Sequence, residues 1–93
     1  MAILQFRHRG LARFCQSGVS SGSQPRHSPH LRLILGRLDV AMKPGDMGLP
    51  GLGLHPLRGN RVGTWSVKVN SHWRVTFRFA GTDATDVDYE DYH

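Results

Sequence analysis

Trp65-Ser66-Val67-Lys68-Val69-Asn70-Ser71-His72-Trp73-Arg74-Val75-Thr76-Phe77-Arg78-Phe79 is the stretch that decides the fold. Trp65, Val67 and Val69 alternate with Ser66 and Lys68, and Trp73, Val75, Phe77 and Phe79 alternate with Arg74, Thr76 and Arg78. A period of two marks strands with one buried face. Asn70-Ser71 between the runs predicts a hairpin turn. Downstream, Gly81-Thr82-Asp83 predicts a second turn, and Ala84 to Tyr89 a third strand with Val87 and Tyr89 on one side. If the apolar set packs beneath helices, side-chain parity puts Lys68, Arg74, Thr76 and Arg78 on the opposite face. The expected sheet is antiparallel, half covered, and basic on its open side.

The helices lie upstream. Leu31, Ile34, Leu35, Leu38, Ala41 and Met42 repeat at helical spacing and form one apolar stripe. Ser28 is a candidate cap for a helix beginning at Pro29, and Lys43-Pro44-Gly45 stops it. Leu11, Phe14 and Cys15 form a shorter helical set ended by Gly18. Ile3-Leu4-Gln5-Phe6 reads as a short opening strand. Gly18 to Gln24 and Gly45 to Gly53 read as loops.

Ninety-three residues predict one domain, 1–93, and leave no room for a doubly wound sheet or an eight-fold barrel. A hydrophobic share of 39% and a charged share of 20% exclude both a disordered chain and a membrane protein. No run approaches the roughly 18 apolar residues of a membrane span. The acid-free, Arg- and Ser-rich start has the composition of a transit peptide, but its helical periodicity reads as part of the core. The single cysteine, Cys15, excludes an internal disulfide framework and fits a reducing compartment. Residues 1–61 hold nine of the twelve basic side chains and only Asp39 and Asp46 of the seven acidic ones. That imbalance suits a polyanion on the basic surface. His27-Ser28-Pro29-His30 with Cys15 lacks a metal-site spacing, and Gly51-Leu52-Gly53 lacks the Lys-Ser/Thr of a phosphate loop. No metal or cofactor is expected.

Four ordered segments carry a family likeness: Asp46-Met-Gly-Leu-Pro-Gly-Leu-Gly-Leu-His-Pro-Leu-Arg-Gly-Asn60, Gly63-Thr-Trp-Ser-Val67, Asn70-Ser-His-Trp-Arg-Val-Thr-Phe-Arg-Phe79, and Asp86-Val-Asp-Tyr-Glu-Asp-Tyr-His93. In these the chain resembles the HigB-type toxins of the RelE/ParE superfamily, from bacterial type II toxin–antitoxin systems, over about Ile3 to His93. The resemblance implies an α+β, RelE-like fold. It has a short N-terminal strand and two helices packed on one face of a mainly antiparallel sheet. It also implies ribosome-dependent endoribonuclease activity on mRNA, inhibiting translation and growth. The implied partners are a cognate helix-turn-helix antitoxin (HigA-like) and the 30S/70S ribosome with its mRNA. Operator DNA is reached only through the antitoxin, and the implied location is the bacterial cytoplasm.

Metal-independent RNA cleavage uses the 2′-hydroxyl as an internal nucleophile. It needs a base at that hydroxyl, an acid at the leaving oxygen, and positive charge on the phosphoryl oxygens. Histidine suits the proton transfers and arginine the phosphate. The resemblance places His55, in Leu54-His55-Pro56, and the terminal Asp91-Tyr92-His93 in the active site. His93 is the first candidate for acid/base work, Tyr92 for stacking on a base, and Asp91 for fixing a histidine tautomer or approaching the 2′-hydroxyl. Arg74 matches the family's arginine and is assigned to transition-state charge. Arg58 stands where the family usually has Lys, keeping charge but exchanging an ammonium for a planar fork. Arg58, Lys68 and Arg78 are the candidate RNA contacts. His72 departs from the family's usual small polar residue and reads as part of the turn. A non-nucleolytic inhibitor of the ParE type, acting on DNA gyrase, and a degenerate toxin that only binds antitoxin are the alternatives.

Overall fold

Alternation, turn chemistry and one helical stripe build the architecture of the computed structural model, which describes residues 3–17 and 27–91. Helices α1 (Arg9–Ser17) and α2 (Ser28–Val40) precede four strands, β1 (His55–Pro56), β2 (Trp65–Lys68), β3 (Trp73–Ala80) and β4 (Asp83–Asp91). The strands form an antiparallel sheet in chain order, β1-β2-β3-β4. The opening strand expected at Ile3–Phe6 is realised as two parallel bridges to β4, Ile3 with Ala84 and Phe6 with Val87. These close the β4 edge, so the sheet is mainly antiparallel and the expected fold class holds.

Leu11 and Phe14 of α1 and Leu31, Ile34, Leu35 and Leu38 of α2 pack with Val67, Val75, Phe77, Ala84 and Val87 in one core. His8 caps α1: its Nδ1 accepts the N–H of Leu11 at 3.0 Å, the interaction a Ser or Asp usually makes at a helix start. Helix α2 begins at Ser28, one residue before the expected Pro29, with His27 in the capping position. Met42 departs from the expected stripe and is 58% exposed. The helix ends at Val40, and Ala41 turns extended (φ −68°, ψ 142°), so the 3.6-residue phase no longer applies beyond it. The glycine-rich loop is more ordered than its composition suggests. It holds a 3-10 turn, Pro44–Met47, and sends Met47 and Leu52 into the core.

The predicted hairpin turn forms at residues 70–72. Asn70 Oδ1 accepts the N–H groups of His72 and Trp73 at 2.9 and 2.8 Å. Strand β4 contains a bulge the alternation does not reveal. Ala84, Val87 and Tyr89 all face the core although the first two are three positions apart, an odd spacing. The register shifts there against β3, and Asp86 takes the left-handed conformation (φ 52°) that admits the extra residue.

The open face requires a correction. Lys68 and Arg78 are exposed as expected, but Thr76 is 1% and Arg74 9% exposed. Over Thr76 the cause is Arg61, from the 3-10 turn Gly59–Arg61. Its guanidinium binds both carboxylate oxygens of Glu90 at 2.9 and 2.7 Å, and the Thr76 hydroxyl donates to the same carboxylate. An ion pair thus roofs the middle of a face that parity alone leaves bare.

Candidate active site

Cross-strand register sets which side chains share the open face. His55 pairs with Ser66, Ser66 with Thr76 and Thr76 with Asp88 in one row; Lys68 pairs with Arg74 and Arg74 with Glu90 in the next. Directly paired residues project to the same side. His55, Lys68 and Arg74 are therefore brought together on the open face. Two strand spacings and a two-residue offset put the backbones of His55 and Arg74 about 12 Å apart. An imidazole and a guanidinium reaching inward from that separation can meet one phosphodiester group.

Local structure aims His55. Gly53, at φ 59°, turns its carbonyl to accept a hydrogen bond from His55 Nδ1 at 3.0 Å. A carbonyl only accepts, so in the neutral ring the proton resides on Nδ1 and Nε2 carries the lone pair. The Gly53 backbone also packs on the stem of Lys68, whose N–H bonds the Leu52 carbonyl at 2.7 Å. The loop thus neighbours both the His55 imidazole and the Lys68 side chain.

Arg74 is nearly enclosed, so its charge is weakly screened. Glu90, opposite it in the ladder, has its acidity strengthened, first by the Arg61 hydrogen bonds and then by Thr76 and the nearby charges of Arg61 and Arg74, against an opposing effect of burial. Arg61 is correspondingly raised by Glu90. A hollow of about 90 Å3 opens beside Arg74, lined by Lys68, Asn70, Ser71, His72 and Trp73.

The remaining candidates divide. Asp91 pairs with Trp73 and so has the parity of the helix-covered side, opposite to Arg74 and His55. Arg58 is exposed at the cap of the 3-10 turn. Arg78 lies on the open face but four residues along β3 from Arg74, bonded to the Val62 carbonyl and the Thr64 hydroxyl at 3.3 and 3.2 Å. Tyr92 and His93 lie outside the described residues. Sequence reasoning missed Arg61, Glu90 and Thr76. Glu90 alternates in phase with Asp88, but only the β3–β4 register shows that it faces Arg74.

Behind this face, on the helix side, lies an unforeseen aromatic cluster. Trp73 stacks on Tyr89 with centroids 4.6 Å apart, His8 meets Tyr89 edge-on at 5.3 Å, and buried His27 bonds both Tyr89 and Asn70.

Comparison with known proteins shows the family and the fold. Residues 4–93 match the family model for the RelE-like toxin of the type II toxin–antitoxin system HigB. The chain is 38% identical over 91 residues to the endoribonuclease HigB of Proteus vulgaris, covering 98% of this chain and 99% of that one. Its backbone is similar to a YoeB/ParE toxin from Agrobacterium tumefaciens at a TM-score of 0.57 and 15% identity, covering 100% of this chain and 99% of that chain, a likeness of fold.

Proposed function

The chain belongs to the HigB-like family of RelE-like toxins from type II toxin–antitoxin systems, and we propose that it cleaves mRNA on the ribosome by 2′-hydroxyl attack. The protein is a type II toxin endoribonuclease, and an antitoxin is its partner. The observation that carries the mechanism is the common open face of His55, Lys68 and Arg74, with His55 Nε2 available as a base.

In the proposed step His55 Nε2 takes the 2′-hydroxyl proton while the 2′-oxygen bonds to the adjacent phosphorus. The bond from phosphorus to the 5′-oxygen breaks, leaving a 2′,3′-cyclic phosphate. His93 returns a proton to the departing 5′-oxygen. Arg74 stabilises the charge on the phosphoryl oxygens, its weak screening raising its effect. Lys68, Arg58 and Arg78 hold neighbouring phosphates. Tyr92 stacks on a base; Asp91, with the parity of the helix-covered side, takes no part in the step. Ribosomal RNA phosphates supply much of the affinity for the basic face. The antitoxin is a helix-turn-helix protein of HigA type that masks or sequesters the toxin and links it to operator DNA. No described helix is long and apolar enough to cross a membrane, and the bacterial cytoplasm is the proposed location.

The test supplies translating ribosomes and maps mRNA 5′ ends. New ends with the unaltered protein, and their loss with His55→Ala and His93→Ala, are expected. Unchanged cleavage by both variants overturns the mechanism, and inhibition of gyrase supercoiling without RNA cleavage would move the protein to the ParE-like alternative.

A further inference from the structure

At the far end of the open face from Arg74 lies a second hollow, of about 130 Å3, lined by Arg7, Asn60, Arg61, Thr64, Arg78 and Asp86 among others. Of its lining residues only Arg78 enters the cleavage proposal, as a contact to a neighbouring phosphate; Arg7, Arg61, Asn60, Thr64 and Asp86 do not. Two of its cations, Arg78 and Arg61, are held by side-chain contacts, and Arg7 by its backbone alone. Arg78 lies against Gly63, where a Cβ would come within 2.8 Å of the guanidinium, and donates to Val62 and Thr64. Arg61 is clamped by Glu90. Arg7 is anchored through its own N–H to the Val87 carbonyl at 2.7 Å. Among the described residues neither the Arg7 nor the Arg78 guanidinium makes an ion pair, whereas Arg61 is matched by Glu90. With Asp86 also lining the hollow, three guanidiniums face two carboxylates, leaving one positive charge. A phosphodiester carries one negative charge. The Thr64 hydroxyl, which accepts from Arg78, and the Asn60 amide provide neutral donors.

Strand geometry relates this hollow to the cleavage site. Arg74 and Arg78 are on the same face of β3, about 13 Å apart along the strand. That distance is on the order of two nucleotides of an extended single strand. We propose that the Arg7–Arg61–Arg78 hollow binds a second phosphodiester of RNA, removed from the scissile one. It acts on substrate affinity and strand placement and not on proton transfer. The inference rests on the nuclease reading above but is tested separately. Asp86, held at the rim by the bulge, weakens the site by like-charge repulsion.

The test measures binding of the full chain to a single-stranded 2′-O-methyl RNA oligonucleotide, which 2′-hydroxyl attack cannot cleave, over a salt series. Arg78→Gln and Arg7→Gln are each expected to weaken binding about tenfold and to flatten the log–log salt slope by about 0.7. Asp86→Asn, which keeps a residue tolerant of positive φ, is expected to tighten binding. A gain of affinity is not an outcome of structural damage. On ribosomes Arg7→Gln, outside the residues assigned to the cleavage step, raises KM and leaves kcat within about twofold. Weakened binding to ribosomes without mRNA assigns the phosphate to ribosomal RNA; an effect only on mRNA-programmed ribosomes assigns it to the message. Unchanged affinity and salt slope in Arg7→Gln and Arg78→Gln, or no gain in Asp86→Asn, overturns the second site. If the unaltered protein does not cleave on ribosomes, the nuclease reading fails while the oligonucleotide measurement still decides this one.

Discussion

The side-chain amide of Asn70 stands 2.8 Å from Nε2 of His27, 43 residues earlier in the chain. Its orientation is settled by the backbone, because Asn70 Oδ1 already accepts from two N–H groups. The nitrogen Nδ2 must therefore donate to His27, which leaves Nε2 bare and the proton on Nδ1, directed to Tyr89. The turn that ends β2 is thereby tied to the start of α2, beside the strand that carries Arg74.

His27→Ala should thus destabilise the fold by about 2–3 kcal/mol, since it removes a buried ring and the acceptor of the Asn70 amide. Thermal unfolding is expected to shift down by roughly 10–20 °C. Nitrogen chemical shifts should report the Nδ1-protonated tautomer at neutral pH. A His27 ring protonated on Nε2 alone would contradict the network.

His55→Ala is expected to lower kcat by about 10²–10⁴-fold, the usual contribution of a positioned base, with little change in melting temperature because the side chain is exposed. Arg74→Ala should also lower kcat, by about 10²-fold or more. It should further lower stability, because Arg74 is buried and lies beside Glu90. Single-turnover cleavage and thermal melts of the two variants separate these effects.

The Arg61–Glu90 pair predicts an acid-sensitive increment of stability. The folded-state pKa of Glu90 lies below its ordinary value of 4.5, chiefly through Arg61. A depressed carboxylate stabilises the fold above its unfolded pKa, and that contribution disappears as pH falls through the folded value. Glu90→Gln should cost about 1 kcal/mol at pH 7, discounted for the partial exposure of both partners. The gap to the unaltered protein should close on acidification below the glutamate range. Denaturant titrations at neutral and acid pH measure it, and a gap that widens in acid would refute the assignment.

Helix α2 offers a paired comparison. Leu38 is fully buried, whereas Met42 is largely exposed beyond the helix end. Leu38→Ala should cost about 2–5 kcal/mol, and Met42→Gln no more than about 0.5 kcal/mol. Equal costs would mean that the helical phase continues past Val40.

Much of this was legible in residue order. Val67, Val75 and Phe77 are buried where alternation placed them, and Leu31, Ile34, Leu35 and Leu38 where the helical period placed them. Both patterns report a backbone geometry that repeats locally. Met42 failed because a period holds only while the helix does. The bulge at Asp86 escaped notice because an inserted residue leaves each flanking run with its own alternation.

The candidate site divides along the same line. Parity suffices to put Lys68 and Arg74 on a common face, since each depends on its own strand and nearest turn; His55 came from the family resemblance, and the register of β1 with β2 puts it on that face. The burial of Thr76, the depressed Glu90 and the second basic hollow depend on Arg61 crossing to a carboxylate 29 positions away. A contact between distant segments leaves no periodic trace along the chain. Such long-range pairing arises when the sheet closes, and it sets how strongly the charges on that face act.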